Sequence, residues 1–431
     1  MATSVGERAA GEAFYTRVVR VLLALNPVAV TLVIIALVCA WRLPMVLVAP
    51  NRLVSGVPVA LADMSGFGPF VLWSGTAFLA CIAWLLALTR SQHPTGLQWR
   101  IPLEIVCWVA CAATLIAGVG GFAQAQLHTS AQPLSQSLSE PSSPAVASLV
   151  RVTLGSAFWV AQGVIALLVL DALQAVRLLA RTKSLIALLL AAAWVLALFG
   201  LWGDALSVVV EYQQHRDELL TATLRHVQIV LTAMLPAVAV GLPLGWWIHR
   251  SPATRGWLMS GLGFTQTVPS LALFGLLMAP LAALSQRYTV LADWGIRGVG
   301  LAPAVLALWL YSLLPVVRGT LAGLASVSVD ACEAARAMGM RARQVAWHVE
   351  LPLALPVLLQ GLRTATNQAI GLAAVTALIG AGGLGAIMFD GLFSAAHDVV
   401  LLGVLPLIAM AWLADAAFQW ASPVRVESRD D

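Results

Sequence analysis

The sequence predicts an all-α integral membrane protein of about ten transmembrane helices. Composition is the first reason: 60% of the 431 residues are hydrophobic and 10% charged, whereas soluble domains run at about half apolar and about a quarter charged. Mean hydropathy is +0.89, more apolar side chain than a water-soluble core can hide. The second reason is that the apolar residues fall in runs of about 20, the length a helix needs to cross a bilayer. The third is the way basic residues alternate between those runs. Soluble, fibrous and disordered classes are excluded.

The runs lie at 27–48, 70–88, 102–122, 154–176, 184–202, 226–248, 257–283, 298–317, 356–379 and 397–418. The first is too long for a signal-peptide core and has no small-residue cleavage site directly after it, so it is expected to be an uncleaved span. One set of alternate segments carries sixteen of the 24 basic residues, among them Arg8, Arg90, Arg181, Lys183, Arg250, Arg255, Arg318, Arg343 and Arg429; the other set carries seven. Cytoplasmic segments hold the excess, so both termini are expected in the cytoplasm. Basic residues come in ones, twos and threes, with no arginine-rich tail suited to nucleic acid.

Between the third and fourth spans, His128–Ser148 holds seven serines and three prolines and is expected to be a flexible external connector. Asp204–Arg225 alternates charged and apolar residues and is expected to form an external amphipathic connector lying at the interface. It parts an N-terminal five-span extension, 1–203, from a second five-span region, 226–420, which is followed by a tail at 421–431. No internal repeat relates the halves.

The longest cytoplasmic loop, Arg318 to about Leu355, is the most patterned. Asp330–Met338 reads as a short helix, Gly339 as a turn, and Arg341–Val349 as a second helix that Leu351 and Pro352 end. Glu333-Ala334-Ala335, Gly339 and Leu351-Pro352 stand at the spacing of the EAA loop, and the segment resembles that loop in permease subunits of ABC importers. Two alanines leave a thin helix face that fits a groove, and glycine permits the sharp turn. Thr265-Gln266-Thr267-Val268-Pro269-Ser270, Leu310-Tyr311-Ser312-Leu313-Leu314-Pro315 and Ile379-Gly380-Ala381-Gly382-Gly383-Leu384-Gly385 narrow the resemblance, over about 226–418, to permeases for glycine betaine, choline and related osmoprotectants.

The resemblance implies a C-terminal five-helix ABC importer permease core, with its EAA loop at 330–355, forming the translocation pathway for glycine betaine or a related quaternary ammonium solute in the bacterial inner membrane. Glu333, Ala334, Ala335, Gly339, Leu351 and Pro352 are the implied contacts with ABC ATPase subunits, which hold ATP and Mg. A second permease subunit, identical or paralogous, and a periplasmic or surface substrate-binding protein are the other implied partners. The chain itself is expected to be non-catalytic and without a cofactor. Its one lysine, Lys183, follows Arg181 and Thr182 with no glycine-rich turn, so no P-loop is present. The alternatives are an ABC permease for an amino acid or other small polar solute, and a stand-alone secondary transporter.

Gly380, Gly382 and Gly385 fit the dinucleotide pattern, but no strand precedes them; with Gly383 they read as a tight external turn. Cys107 and Cys111 share a helix face without nearby histidines and read as apolar packing, so no metal is expected. Glu104, Asp171, Arg363 and Asp415 lie near the cytoplasmic ends of spans, where side chains can reach water. Gln360, Thr364, Asn367 and Gly371 recur on one face of the ninth span. A polar stripe is costly against lipid, so it faces protein or a water-filled passage; the passage is the preferred reading. Thr265, Gln266, Thr267, Pro269 and Ser270 are placed on the same pathway, where the missing N–H of proline loosens the seventh span near mid-depth.

Overall fold

The computed structural model describes residues 27–49, 56–64, 76, 80–83, 100–137, 151–176, 178, 180–201, 205–293 and 295–422. They fall into two compact units that divide between Val210 and Glu211. Most of the expected second span, 70–88, lies outside the described residues. Among the described residues eight helices are long and apolar enough to cross a membrane.

The first unit contains α1 (Pro27–Arg42), α2 (Arg100–Ser137), α3 (Ser156–Ala175) and α4 (Ala180–Leu201). The expected flexible connector is in part a continuation of α2, which runs on to Ser137; extending a formed helix fixes one residue for each new hydrogen bond. The rest of that connector, 138–148, lies outside the described residues. A small antiparallel sheet, ordered β2 (Val57–Val59), β1 (Val46–Ala49), β3 (Arg151–Leu154), departs from the all-helical expectation. Val46 pairs with Val59 on one side and Leu154 on the other, which joins the segment after α1 to the start of α3.

Helix packing in the first unit rests on side chains turned inward. Cys107, Trp108, Cys111 and Leu115 of α2 are buried, as are Phe158, Ile165 and Leu168 of α3. Gln162 bridges three helices: its Nε2 donates to the Ala112 carbonyl at 3.2 Å and its Oε1 accepts from Trp194 Nε1 at 3.1 Å. In an apolar surround such interhelical hydrogen bonds hold helices that no hydrophobic gain drives together. Glu104 does not reach water as expected; it is 1% exposed.

α5 (Ser207–Gln214) crosses the division between units and stops at His215, where α6 (Arg216–Arg250) begins. The expected interfacial helix over 204–225 is therefore two pieces, and its second half is the start of a 35-residue span. Asp217 and Glu218 in the first turn of α6 complement its N-terminal partial charge.

The rest of the second unit is α7 (Pro252–Thr267), α8 (Ser270–Arg287), α9 (Thr289–Asp293), α10 (Leu301–Ala325), α11 (Val329–Ala337), α12 (Ala342–Val345), α13 (Leu351–Val375), α14 (Leu384–Phe393) and α15 (His397–Ala421). Its core is the packing of α6, α10 and α13 through Ile229, Ala233, Leu308, Val316, Ala365 and Ala369. Small residues let these helices approach closely: a Cβ on Gly319 would stand 2.5 Å from the Gly361 Cα, and one on Gly361 2.4 Å from the Gly319 Cα. α14 is a ten-residue apolar helix between the expected ninth and tenth spans. It packs on α15, with Leu384, Gly385, Ile387 and Gly391 buried.

Candidate functional site

Four features of the second unit hold the sequence-predicted residues. The first is the break in the seventh span. Pro269 does more than loosen a helix: α7 ends at Thr267 and α8 starts at Ser270, with Val268 extended between them. Proline disfavours the helical region for the residue before it and donates no hydrogen bond, so the ladder stops. Two side chains dock the break on α10. Gln266 Nε2 donates to the Tyr311 carbonyl at 3.0 Å, and the Tyr311 hydroxyl donates to the Val268 carbonyl. Gln266 is thereby held, while Thr265 and Thr267 bond back to Leu262 and Phe264 of their own helix. Pro269 is exposed and Ser270 half-buried beside it.

The second feature is the stripe on α13. Gln360, Thr364 and Gly371 are exposed, and a Cβ on Gly371 would meet nothing within 4 Å. Asn367 is half-buried, and its Oδ1 is enclosed with no hydrogen-bond partner among the described residues. Arg363, one residue before Thr364, lies off the stripe and does not snorkel alone: its Nε donates to Asp415 Oδ1 on α15, whose Oδ2 accepts from Gln419 at 2.8 Å.

The third feature is the loop 328–350. Ser328 caps α11 by accepting from the Ala331 N–H at 3.3 Å, and the Gln344 side chain accepts from the Arg341 N–H at 2.8 Å at the start of α12. Gly339 sits at φ +85°, a left-handed turn that costs other residues about 1–2 kcal/mol. Cys332, Ala335 and Val345 close a small core beneath the turn, leaving Glu333 and Ala334 exposed. Met338 is 74% and Trp347 62% exposed, an apolar outer face.

The second loop helix is not ended by Leu351 and Pro352. It passes through a π-helical turn, Ala346–Glu350, directly into α13. The Leu351 N–H reaches the Ala346 carbonyl, five residues back, which lets the helix absorb the N–H that Pro352 lacks. Glu350, at the join, is 8% exposed and accepts from Arg250 at 2.6 Å, tying the end of α6 to the base of the loop. Arg250 also lies 5.3 Å over the Trp246 ring.

The fourth feature is the turn at the opposite end of the bundle. Gly380, Gly382 and Gly383 all have positive φ, a run that side-chain-bearing residues resist. A Cβ on Gly385 would stand 1.9 Å from the Ala374 carbonyl oxygen. The turn is pinned by Arg225 Nε to the Ala381 carbonyl at 3.1 Å and by the Gly300 N–H to the Ile379 carbonyl at 2.9 Å. His226, fully buried below it, holds Nε2 3.1 Å from the Ile370 carbonyl.

Two family matches divide the chain between them. Residues 237–424 match the family of binding-protein-dependent transport system inner membrane components, and 25–209 match the N-terminal domain of the ABC transporter permease YehY. A glycine betaine/carnitine/choline transport system permease protein of Bacillus subtilis, OpuCD, is 37% identical over 210 residues, 48% of this chain and 85% of the relative. The chain belongs to the binding-protein-dependent permeases. The permease is also 33% identical to the carnitine transport permease protein OpuCB of Listeria monocytogenes, over 49% of this chain and 89% of that one. For the osmoprotectant import permease protein OsmW of Salmonella typhimurium the figures are 38%, 46% and 86%.

In this permease the sequence-predicted residues form separate groups. The loop residues Glu333, Ala334, Ala335 and Gly339 cluster around one turn, while Leu351 and Pro352 lie at the root of α13. The sequence pattern alone does not mark Tyr311 as holding the break, nor Arg250 and Glu350 as a pair. A tyrosine opposite a proline break is a signal for the first; the partners of the second are a hundred residues apart and meet only in the fold.

Proposed function

We propose that this permease carries glycine betaine or a related quaternary ammonium osmoprotectant across the bacterial inner membrane, driven by ATP hydrolysis in separate subunits. The observation that carries the mechanism is the unbroken helical path from the loop at 342–350 into α13, the helix that bears the polar stripe. A push on the exposed face around Ala334, Met338 and Trp347 moves α13 as one rod. Gly319 and Gly361, where α10 and α13 nearly touch, form the pivot. The stripe then shifts relative to the broken span at Val268–Pro269, and the passage opens to one side or the other.

The stripe suits a solute with a permanent positive charge. Gln360, Thr364 and Asn367 offer neutral dipoles that replace part of a hydration shell, without the tight grip of a carboxylate. The relatives named for glycine betaine, choline and carnitine support this choice of cargo. Selection among such solutes belongs to an external binding protein, and the ATPase subunits supply ATP and Mg; this chain acts as a non-catalytic conduit. With both termini cytoplasmic, the loop at 328–350 faces the ATPases and the glycine turn at 380–385 faces the binding protein. A second permease subunit completes the passage.

Radiolabelled glycine betaine uptake into vesicles containing the assembled importer tests the proposal. Uptake is expected to stop when Gly339 is replaced by valine, with membrane insertion intact and ATPase subunits no longer co-purifying. Uptake that persists after the ATPases are removed would instead make the chain a stand-alone carrier.

A further inference from the structure

At the end of the second unit that carries Arg250 there is an open hollow of about 620 Å³, lined by Arg255, Arg318, Pro252, Met259, Leu321 and Ala325 among others. Arg255 stands in the first turn of α7, and Arg318 about two turns before the end of α10. Among the described residues neither guanidinium has an ion-pair partner, whereas Arg250 and Arg363 in the same unit each hold a carboxylate. The hollow is lined by no acidic side chain among its named residues. Two cations lining one hollow with no acidic partner favour an anion within it.

We infer that Arg255 and Arg318 bind the phosphate of an anionic phospholipid head group. The guanidinium fork matches phosphate oxygens bidentately. Met259, Leu321 and Ala325 supply an apolar floor for the glycerol and the start of the acyl chains. Trp257, 64% exposed and two residues beyond Arg255, is the aromatic type that settles at the head-group level. Basic hollows between spans at a membrane face are suited to lipid head groups. A cationic solute is repelled from the same place, which sets the hollow apart from the passage. The assignment rests on the chain spanning a bilayer, not on the identity of its cargo.

The test is native mass spectrometry of the full-length chain in detergent, supplied with equal amounts of phosphatidylglycerol and phosphatidylcholine. The wild type is expected to retain the anionic lipid with about thirty-fold preference, the product of two basic residues acting at a membrane surface. Each single variant, R255Q or R318Q, is expected to lose about fivefold of that preference. R255Q/R318Q should bind both lipids alike, and R255K/R318K, which keeps the charges but not the fork, should keep only part of the preference. Millimolar inorganic phosphate should not displace the lipid. No preference in the wild type, or an unchanged preference in R255Q/R318Q, overturns the assignment. So does displacement by inorganic phosphate, which makes the hollow a free-phosphate site. Loss of ATPase co-purification in R255Q/R318Q with lipid preference intact also overturns it and makes the hollow a protein contact. None of these outcomes touches the Gly339 uptake test.

Discussion

At the scale of residues, the account turns on side chains that hold irregular backbone in place. Tyr311 gives the Val268 carbonyl a donor where the helix is broken, and Gln266 ties the same break to the Tyr311 carbonyl. Removing the hydroxyl by Tyr311→Phe leaves that carbonyl unpaired at a cost of about 1–3 kcal/mol. Uptake should fall several-fold, with a modest drop in the unfolding temperature of the purified chain; unchanged uptake would show that the docked break is not part of the moving passage. The glycine contact is less forgiving. At Gly361→Ala the new Cβ meets only unyielding backbone, the Gly319 Cα at 2.4 Å and the Pro315 carbonyl oxygen at 3.2 Å, so α10 and α13 must part. Overpacking of this kind costs about 1–3 kcal/mol, and a lowered unfolding temperature together with lost uptake is the expected result. Gly371→Ala is the control: its Cβ enters open space, so stability should hold, apart from the small change in intrinsic helix preference.

At the scale of elements, the Arg250–Glu350 pair ties the end of α6 to the base of the loop. Glu350 is largely enclosed, while the Arg250 side chain is 43% exposed, so solvent screens part of the attraction. Arg250→Ala is expected to leave a nearly buried carboxylate unpaired, lowering uptake more than it lowers ATP hydrolysis by the assembled importer. Adding Glu350→Gln to that variant should recover part of the loss, which measures the pair rather than the single charges. The elements also show what a sequence makes legible. Spans announce themselves because about 20 apolar residues in a row have few other uses, and the α11–Gly339–α12 hairpin announces itself through Glu333-Ala334-Ala335 and Gly339 at their spacing. The sheet does not: β1 and β3 are four residues each and find one another across the whole of α2. α14 is too short to be taken for a span, and its apolar character is set by packing on α15. Proline at 352 reads as a helix end because proline clashes within a regular α-helix; the π turn at 346–350 removes the clash, and nothing local in the sequence marks such a turn.

At the scale of the whole molecule, two units divide between Val210 and Glu211, and the permease family match covers 237–424. Removal of residues 1–203 is therefore expected to leave a chain that inserts, keeps its Gly380–Gly385 turn and co-purifies with ATPase subunits. Loss of insertion would assign the first unit a part in folding the second. The central claim is that 342–375 moves as one rod about the Gly319–Gly361 contact. Spin labels placed on Arg343, Thr364 and Thr267 in the assembled importer report it directly by pulsed electron paramagnetic resonance, with and without trapped nucleotide. The claim predicts a constant distance between Arg343 and Thr364 and a changed distance between Thr364 and Thr267. A changed Arg343–Thr364 distance with Thr364–Thr267 fixed would contradict it.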